Sequence, residues 1–202
     1  MIFMSIIHKH INEKFPYDGS QIDPLWAFRE FNIKGSSIIS WRGPMNISPE
    51  NIKDFADIDT EIKSDEMFHI ISEFFDCQPA NMEIAYLRQR LLILIFYEKL
   101  SKLGVLIKRE GDDIYIEDRK LSVCIASSSI SSMKIHFALN IQDKGTPSNI
   151  KTIGLFEIND YQGNLVFNND NILNFFFDLI ESYINELETI QLDISKTKLL
   201  GF

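Results

Sequence analysis

The chain has 202 residues, a length that fits a single domain, 1–202, and allows a substantial core. Hydrophobic residues make up 45% and charged residues 24%, which excludes a disordered chain and is ordinary for a soluble globular protein. The formal charge of −9 argues against broad nucleic-acid binding, which needs a positive surface to displace counterions.

In chain order, residues 2–8 and 13–18 read as early strands. The opening MIFMSIIHKHINEKF has too short an apolar run for a signal peptide. PLWAFREF at 24–31 reads as a short helix with Asp23 as cap and Pro24 at the first helical position. SSIISWRG forms a strand that Gly43-Pro44 ends. From Ser64 to about Phe75 the apolar spacing predicts a helix, with Met67, Phe68, Ile70, Ile71, Phe74 and Phe75 on its core stripe. On that reading His69 and Glu73 sit one helical turn apart, a spacing that suits either a metal pair or, more commonly, a solvated face. A second helix from about Met82 to Leu103 is apolar nearly all round and stops at Gly104. Three or four antiparallel strands follow between Val105 and Ile158, with turns at Gly111-Asp112-Asp113 and Asp118-Arg119. A final helix opens at Asn169 or Asp170 and runs through Glu188. The fold class expected is α+β, a mainly antiparallel mixed sheet flanked by helices. No run is long enough to span a membrane, and Cys77 and Cys124 form no disulfide framework, so the expected compartment is the reducing cytoplasm.

Residues 112–140 carry the strongest functional signal. Leu121, Val123 and Ile125 alternate with Lys120, Ser122, Cys124 and Ala126; Ile135, Phe137, Leu139 and Ile141 alternate with Lys134, His136, Ala138 and Asn140. Strict alternation marks a strand with one buried face. The other face carries small residues with isolated polar groups, so either a ligand lies on it or another segment packs there. Lys120 is either a compact cation for a carboxylate or phosphate, or a turn lysine in solvent. Asp113 either supports a metal or is good turn chemistry. His136 is an acid–base candidate, and Asn140 a ligand-orienting amide. Arg42 stands at a strand end beside glycine, where a guanidinium can fork onto an anion. Asp18, Ser20 and Gln21 form a polar loop between a strand and a helix, suited to a ligand or to capping. Trp26 and Trp41 flank that loop, as pocket walls or as core.

DDIYIEDRKLSVCIA at 112–126 resembles the biotin–protein ligase segment that runs Asn-Asp-Leu-Tyr, a turn, then Lys-Leu-Ala-Gly-Ile-Leu. KIHFALNI is similar to the downstream strand of those ligases, and to the His-Gly-x-Ala-Leu-Asn strand of octanoyltransferases with one residue fewer between His136 and Asn140. SSIISWRGPMNI at 36–47 is similar to the Gly-Arg-x-Gln-Asn segment of lipoate ligases. YDGSQIDPLWAFREF, WRGPM, LRQRLLILI and KLSVCIAS together resemble the archaeal domain-of-unknown-function 366 family, across nearly the whole chain. That resemblance implies a biotin/lipoate ligase-like fold, related to class II aminoacyl-tRNA synthetases, and no established reaction. It also implies that Lys120 meets an acyl carboxylate or an adenylate phosphate, with Asp113 at the ligases' acidic position and Asp112 replacing their Asn.

The departures are equally specific. The nine glycines form no glycine-rich run, so the backbone cradle that ATP–Mg²⁺ would need has no counterpart. No cysteine follows Cys124, and Cys124 lies about 13 Å from Lys120 by strand rise, so a thioester shuttle lacks its nucleophile. Three functions stay open: an acyl- or carboxylate-handling enzyme with catalytic Lys120 and His136; a non-catalytic pocket for a small carboxylate or nucleotide; or a structural homo-oligomer whose small-residue sheet face is an interface. No metal ligand set is assigned.

Overall fold

The computed structural model describes residues 5–198. The main sheet has five strands in the order β1-β2-β3-β8-β7: β1 Ile7–Ile11, β2 Ser37–Asn46, β3 Lys63–Phe74, β7 Ser122–Ser128 and β8 Met133–Asn140. β1 runs parallel to β2, and the remaining pairs are antiparallel. A small antiparallel sheet contains β4 Lys108–Glu110, β5 Asp113–Ile116 and β6 Arg119–Lys120. Three helices, α1 Trp26–Phe31, α2 Met82–Lys102 and α3 Ile172–Lys196, complete the α+β arrangement. None of the described helices is long and apolar enough to cross a membrane.

α2 and α3 cover one face of the main sheet and enclose the larger core. Its aromatic centre is Phe68 on β3 stacked on Phe176 of α3, with ring centroids 3.6 Å apart. α2 begins where the Asn81 side chain accepts the Ile84 N–H at 3.1 Å, and Lys99 and Lys102 complement the dipole at its last turn. The opposite face carries a smaller cluster of Tyr17, Trp26, Ile39, Trp41, Met67 and Ile71. One side of the sheet is thus sealed by helices, and the other remains partly open for a site.

Several sequence expectations are corrected. Of the residues expected in a helix from Ser64 to about Phe75, all but Phe75 lie in the central strand β3, Lys63–Phe74. A strand buried on both faces reads as a nearly continuous apolar run, which a helical template fits equally well. Phe68, Ile70 and Phe74 enter the helix-side core, while Met67 and Ile71 join the cluster behind it. Gly43-Pro44 does not end β2; it lies inside it, where the pairing to β3 shifts between Gly43 and Met45. That bulge lets residues 15–17 run alongside, with Phe15 N–H donating to Arg42 O and Tyr17 N–H to Pro44 O, so 13–18 is a bridged segment rather than a full strand. The first expected strand, 2–8, appears as β1 from Ile7, and residues 2–4 lie outside the described chain. α1 begins at Trp26 because the Glu73 carboxylate, not Asp23, accepts the Leu25 N–H at 2.9 Å. Five strands, rather than three or four, occupy 105–158, and α3 extends to Lys196.

The alternation in β7 is also inverted. Leu121 and Ala126, an odd number of residues apart, both reach the helix-side core, so the parity changes at the junction of the two sheets. Ser122, Cys124 and Ala126 pair with Phe137- and Leu139-side positions beneath α2, while Val123 and Ile125 lie opposite Ala138 and His136 on the open face. Helix α2 packs closely on β7, and small side chains are what such an approach requires.

A Cβ added at Gly43 would lie 1.9 Å from Phe15 O, a backbone atom that cannot rotate away. Gly43→Ala is therefore expected to destabilise the protein by about 3 kcal/mol, the upper part of the overpacking range, read as a lowered denaturant midpoint.

Candidate functional site

A cleft of about 460 Å³ opens on the sheet face opposite α2 and α3. β7 and β8 supply its floor through Val123, Ile125, His136 and Asn140. Lys120 and Asp113 stand at the small-sheet end, the 146–152 loop forms another wall, and the 51–63 segment arches over the remaining side.

Lys120 Nζ lies 2.9 Å from both oxygens of Asp113. β5 and β6 place these two groups together because Tyr115 pairs with Lys120, two residues beyond Asp113. Tyr115 O–H also donates to Asp113, at 3.3 Å. Main-chain bonds fix the junction: Lys120 N–H donates to Lys151 O, and Ile153 N–H to Lys120 O. Both partners of the ion pair are 29% exposed, so the lysine can meet a ligand without being free in solvent.

The floor contains an arrangement absent from the helical reading of 64–75. His69, on β3, is fully buried, and its Nδ1 lies 3.1 Å from His136 Nε2. Its Nε2 lies 3.2 Å from Gly43 O. Tyr17 stacks on His136 with centroids 3.9 Å apart, and Trp41 stacks on His69 at 4.9 Å. Burial pushes His69 down to about 3, outweighing its bond to Gly43. Burial also holds His136 well below its ordinary value, with repulsion from His69 acting in the same direction. Both rings are therefore neutral at pH 7. Further along the same face, Lys134 and Glu73 pair at 3.4 Å, 1% and 3% exposed. The metal-like spacing of His69 and Glu73 and their expected solvated face are thus corrected: the two lie on one buried strand face, each bonded to a different neighbour.

Carboxylates dominate the arching segment. Asp54, Asp57, Asp59 and Glu61 line the cleft there, with Lys53 and Lys63 among them. Burial first, then repulsion from Asp54, holds the Asp57 carboxyl above its ordinary value, with Lys120 opposing the shift. Among the described residues, no group of three or more His, Cys, Asp or Glu side chains is placed to hold a metal ion. Among the described residues no glycine lines the cleft, so no glycine-rich backbone cradle for phosphates faces it.

Lys120, Asp113, His136 and Asn140 are brought to this one cleft, whereas four other candidates lie elsewhere. Arg42 lies opposite Phe68 on the helix-side face and bonds Glu66 Oε1 at 2.9 Å and Asn169 Oδ1 at 3.1 Å. Asp18, Ser20 and Gln21 form a self-bonded turn: the Ser20 hydroxyl donates to Asp18 Oδ1, Asp18 N–H donates to Gln21 Oε1, and Gln21 Nε2 donates to Pro16 O. That turn touches the cleft indirectly, through Asn51, whose Nδ2 donates to Asp18 O. Cys124 faces α2, with its thiol pushed up by burial. Trp26 and Trp41 are buried core. Tyr17 lines the cleft, and His69 lies buried beneath it as the partner of His136; neither has a local pattern that marks it as part of a site. Reading Met67, His69, Ile71 and Glu73 as alternating strand positions would have placed His69 on the same face as His136.

The α+β fold, a mixed sheet flanked by helices, is similar to the fold of biotin and lipoate protein ligases. The chain is similar to a biotin protein ligase from Aquifex aeolicus in complex with biotin and ATP, with TM-score 0.57 and 13% identity over 89% of this chain and 72% of that one. It is also similar to a putative lipoate protein ligase from T. acidophilum with bound lipoic acid, with TM-score 0.53 and 11% identity over 90% of this chain and 87% of that one. These likenesses establish the fold. Much closer is a protein of unknown function from Pyrococcus horikoshi, with TM-score 0.84 and 33% identity over 96% of this chain and all of that one. An uncharacterised protein of Methanocaldococcus jannaschii is 37% identical over 201 residues, covering 96% of this chain and 85% of the relative. Residues 5–198 match the family described as a domain of unknown function, DUF366, and the chain belongs to that family.

Proposed function

We propose that the protein binds a small carboxylic acid in the sheet cleft, with the carboxylate at Lys120 and an apolar body over Val123 and Ile125. The observation that carries this reading is the convergence of Lys120, His136 and Asn140 on one cleft of about 460 Å³, within the usual range for a small-molecule site. Asp113 holds Lys120 Nζ in place, and an ammonium has three N–H donors to share between Asp113 and a ligand oxygen. Of the ligands named in the two ligase structures, biotin (beside ATP) and lipoic acid are carboxylic acids with apolar tails, which supports the same class here.

A binding role without turnover is favoured over ATP-dependent ligation by one feature of the rim. Asp54, Asp57, Asp59, Glu61 and Asp113 outnumber the lysines of the cleft, so a polyphosphate would meet net repulsion. If the protein is nevertheless an acyl-handling enzyme, Lys120 is the group that stabilises charge on the carboxyl oxygen.

The test is thermal unfolding of wild type and Lys120→Ala with octanoate, lipoate, biotin and ATP–Mg²⁺. A saturating acid at a hundredfold excess over its Kd stabilises the native state by about 2.7 kcal/mol. That gain is expected for wild type and lost in Lys120→Ala, which should itself fold normally because a partly exposed ion pair contributes roughly 1 kcal/mol or less. Equal stabilisation of both proteins would remove Lys120 from the site. Stabilisation by ATP–Mg²⁺, with pyrophosphate released in the presence of the acid, would establish ligation instead.

A further inference from the structure

We infer that the deep end of the cleft selects an uncharged N–H or O–H donor, because the His69–His136 pair is locked in tautomers that leave His136 Nδ1 a bare acceptor. This rests on the carboxylate reading above and extends it to the far end of the same ligand.

Gly43 O can only accept, so His69 Nε2, 3.2 Å away, must carry a hydrogen and donate it. A neutral ring has one N–H, so His69 Nδ1 is bare. The 3.1 Å contact between His69 Nδ1 and His136 Nε2 then needs its hydrogen on His136 Nε2. His136, neutral as well, is left with Nδ1 unprotonated. That atom has no partner among the described residues, and the residue lines the cleft. A half-turn of either ring would put a C–H where a bonded nitrogen stands, so the two hydrogen bonds themselves hold the rings in this orientation.

A ligand group placed there must therefore donate. A carboxylate would bring a second lone pair against a bare acceptor, and a methyl group would leave the nitrogen unsatisfied. The spacing sets the ligand's length. Asn140 N–H donates to Leu121 O, next to Lys120, and Ile125 lies opposite His136. Ile125 is five residues from Lys120, so the Lys120 and His136 backbones are separated by about 16 Å of strand. The chemical class is an extended carboxylic acid whose distal end carries a hydroxyl or an uncharged amide-type N–H.

Calorimetric titration with 8-hydroxyoctanoate, octanoate and octanedioate, which differ only at the distal end, tests this on the whole chain. The hydroxy acid is expected to bind roughly fivefold more tightly than octanoate, the factor one neutral hydrogen bond supplies, and octanedioate most weakly. His136→Phe keeps an aromatic ring against Tyr17 and should erase the preference of the hydroxy acid over octanoate, whatever its effect on the absolute affinities. Equal affinities, or octanedioate binding most tightly, would overturn the selection and leave the carboxylate reading intact. Failure of all three acids to bind would overturn both. Independently of any variant, nitrogen-15 NMR of histidine-labelled wild type at pH 7 should find His136 protonated at Nε2 and bare at Nδ1. An imidazolium, or a hydrogen on Nδ1, would end the argument.

Discussion

Glu73→Ala should destabilise the protein by about 3–5 kcal/mol, the loss expected when one partner of a buried ion pair is removed and the other charge is left alone. Lys134 and Glu73 are 1% and 3% exposed, so water cannot replace the lost partner. Glu73 also accepts from the Ser132 hydroxyl at 2.8 Å and from Leu25 N–H at 2.9 Å, and Lys134 Nζ donates to Asp23 O at 2.6 Å. The pair therefore fastens the start of α1 to the sheet. Equilibrium unfolding in urea measures the loss, and the double variant Glu73→Leu with Lys134→Met should recover much of it. A cost under about 1 kcal/mol for Glu73→Ala would contradict a dry, fully paired site.

The same lysine gives stability an unusual pH dependence. Burial pulls Lys134 from 10.5 down to about 8, even though Glu73 pulls the other way. Between those values the unfolded chain holds a proton that the folded one has released. The unfolded state binds more protons there, so this group makes stability rise with pH across the window from about 8 to 10.5. The full contribution is about 3 kcal/mol, and it should vanish from the pH profile of Lys134→Met.

Trp41→Ala is the second large effect, about 3–5 kcal/mol for emptying a fully buried aromatic site. Trp41 packs against Trp26 at 5.6 Å and Phe15 at 5.9 Å, and its Nε1 donates to Phe15 O at 2.8 Å. It also stacks on His69, so the loss extends to the cleft floor. Trp41→Phe separates the contributions: it keeps most of the apolar volume and leaves Phe15 O without its donor, at a cost of about 1–3 kcal/mol. Denaturation followed by tyrosine and tryptophan fluorescence should rank the two variants in that order. A Trp41→Phe variant as damaged as Trp41→Ala would place the effect in the hydrogen bond rather than the packing.

The amino-acid order alone determined the helix over α2, with its glycine stop, and the buried alternation of Ile135, Phe137 and Leu139 in β8. Both follow from local periodicity, which is set by the geometry of one element. It also placed Lys120 and Asp113 at adjoining turns, close enough in the chain for a hairpin to join them. Only the tertiary structure decided the rest. β3 resembled a helix because burial on both faces erases the two-residue period. β7 turned its small residues to α2 because the parity shift at Leu121 depends on how two sheets meet. Arg42 went to the helix-side face because strand register fixes side, and Gly43 was a bulge rather than an end because residues 15–17 run beside it. His69 became the partner of His136 across sixty-seven positions of sequence, a contact that strand pairing creates and local pattern does not encode.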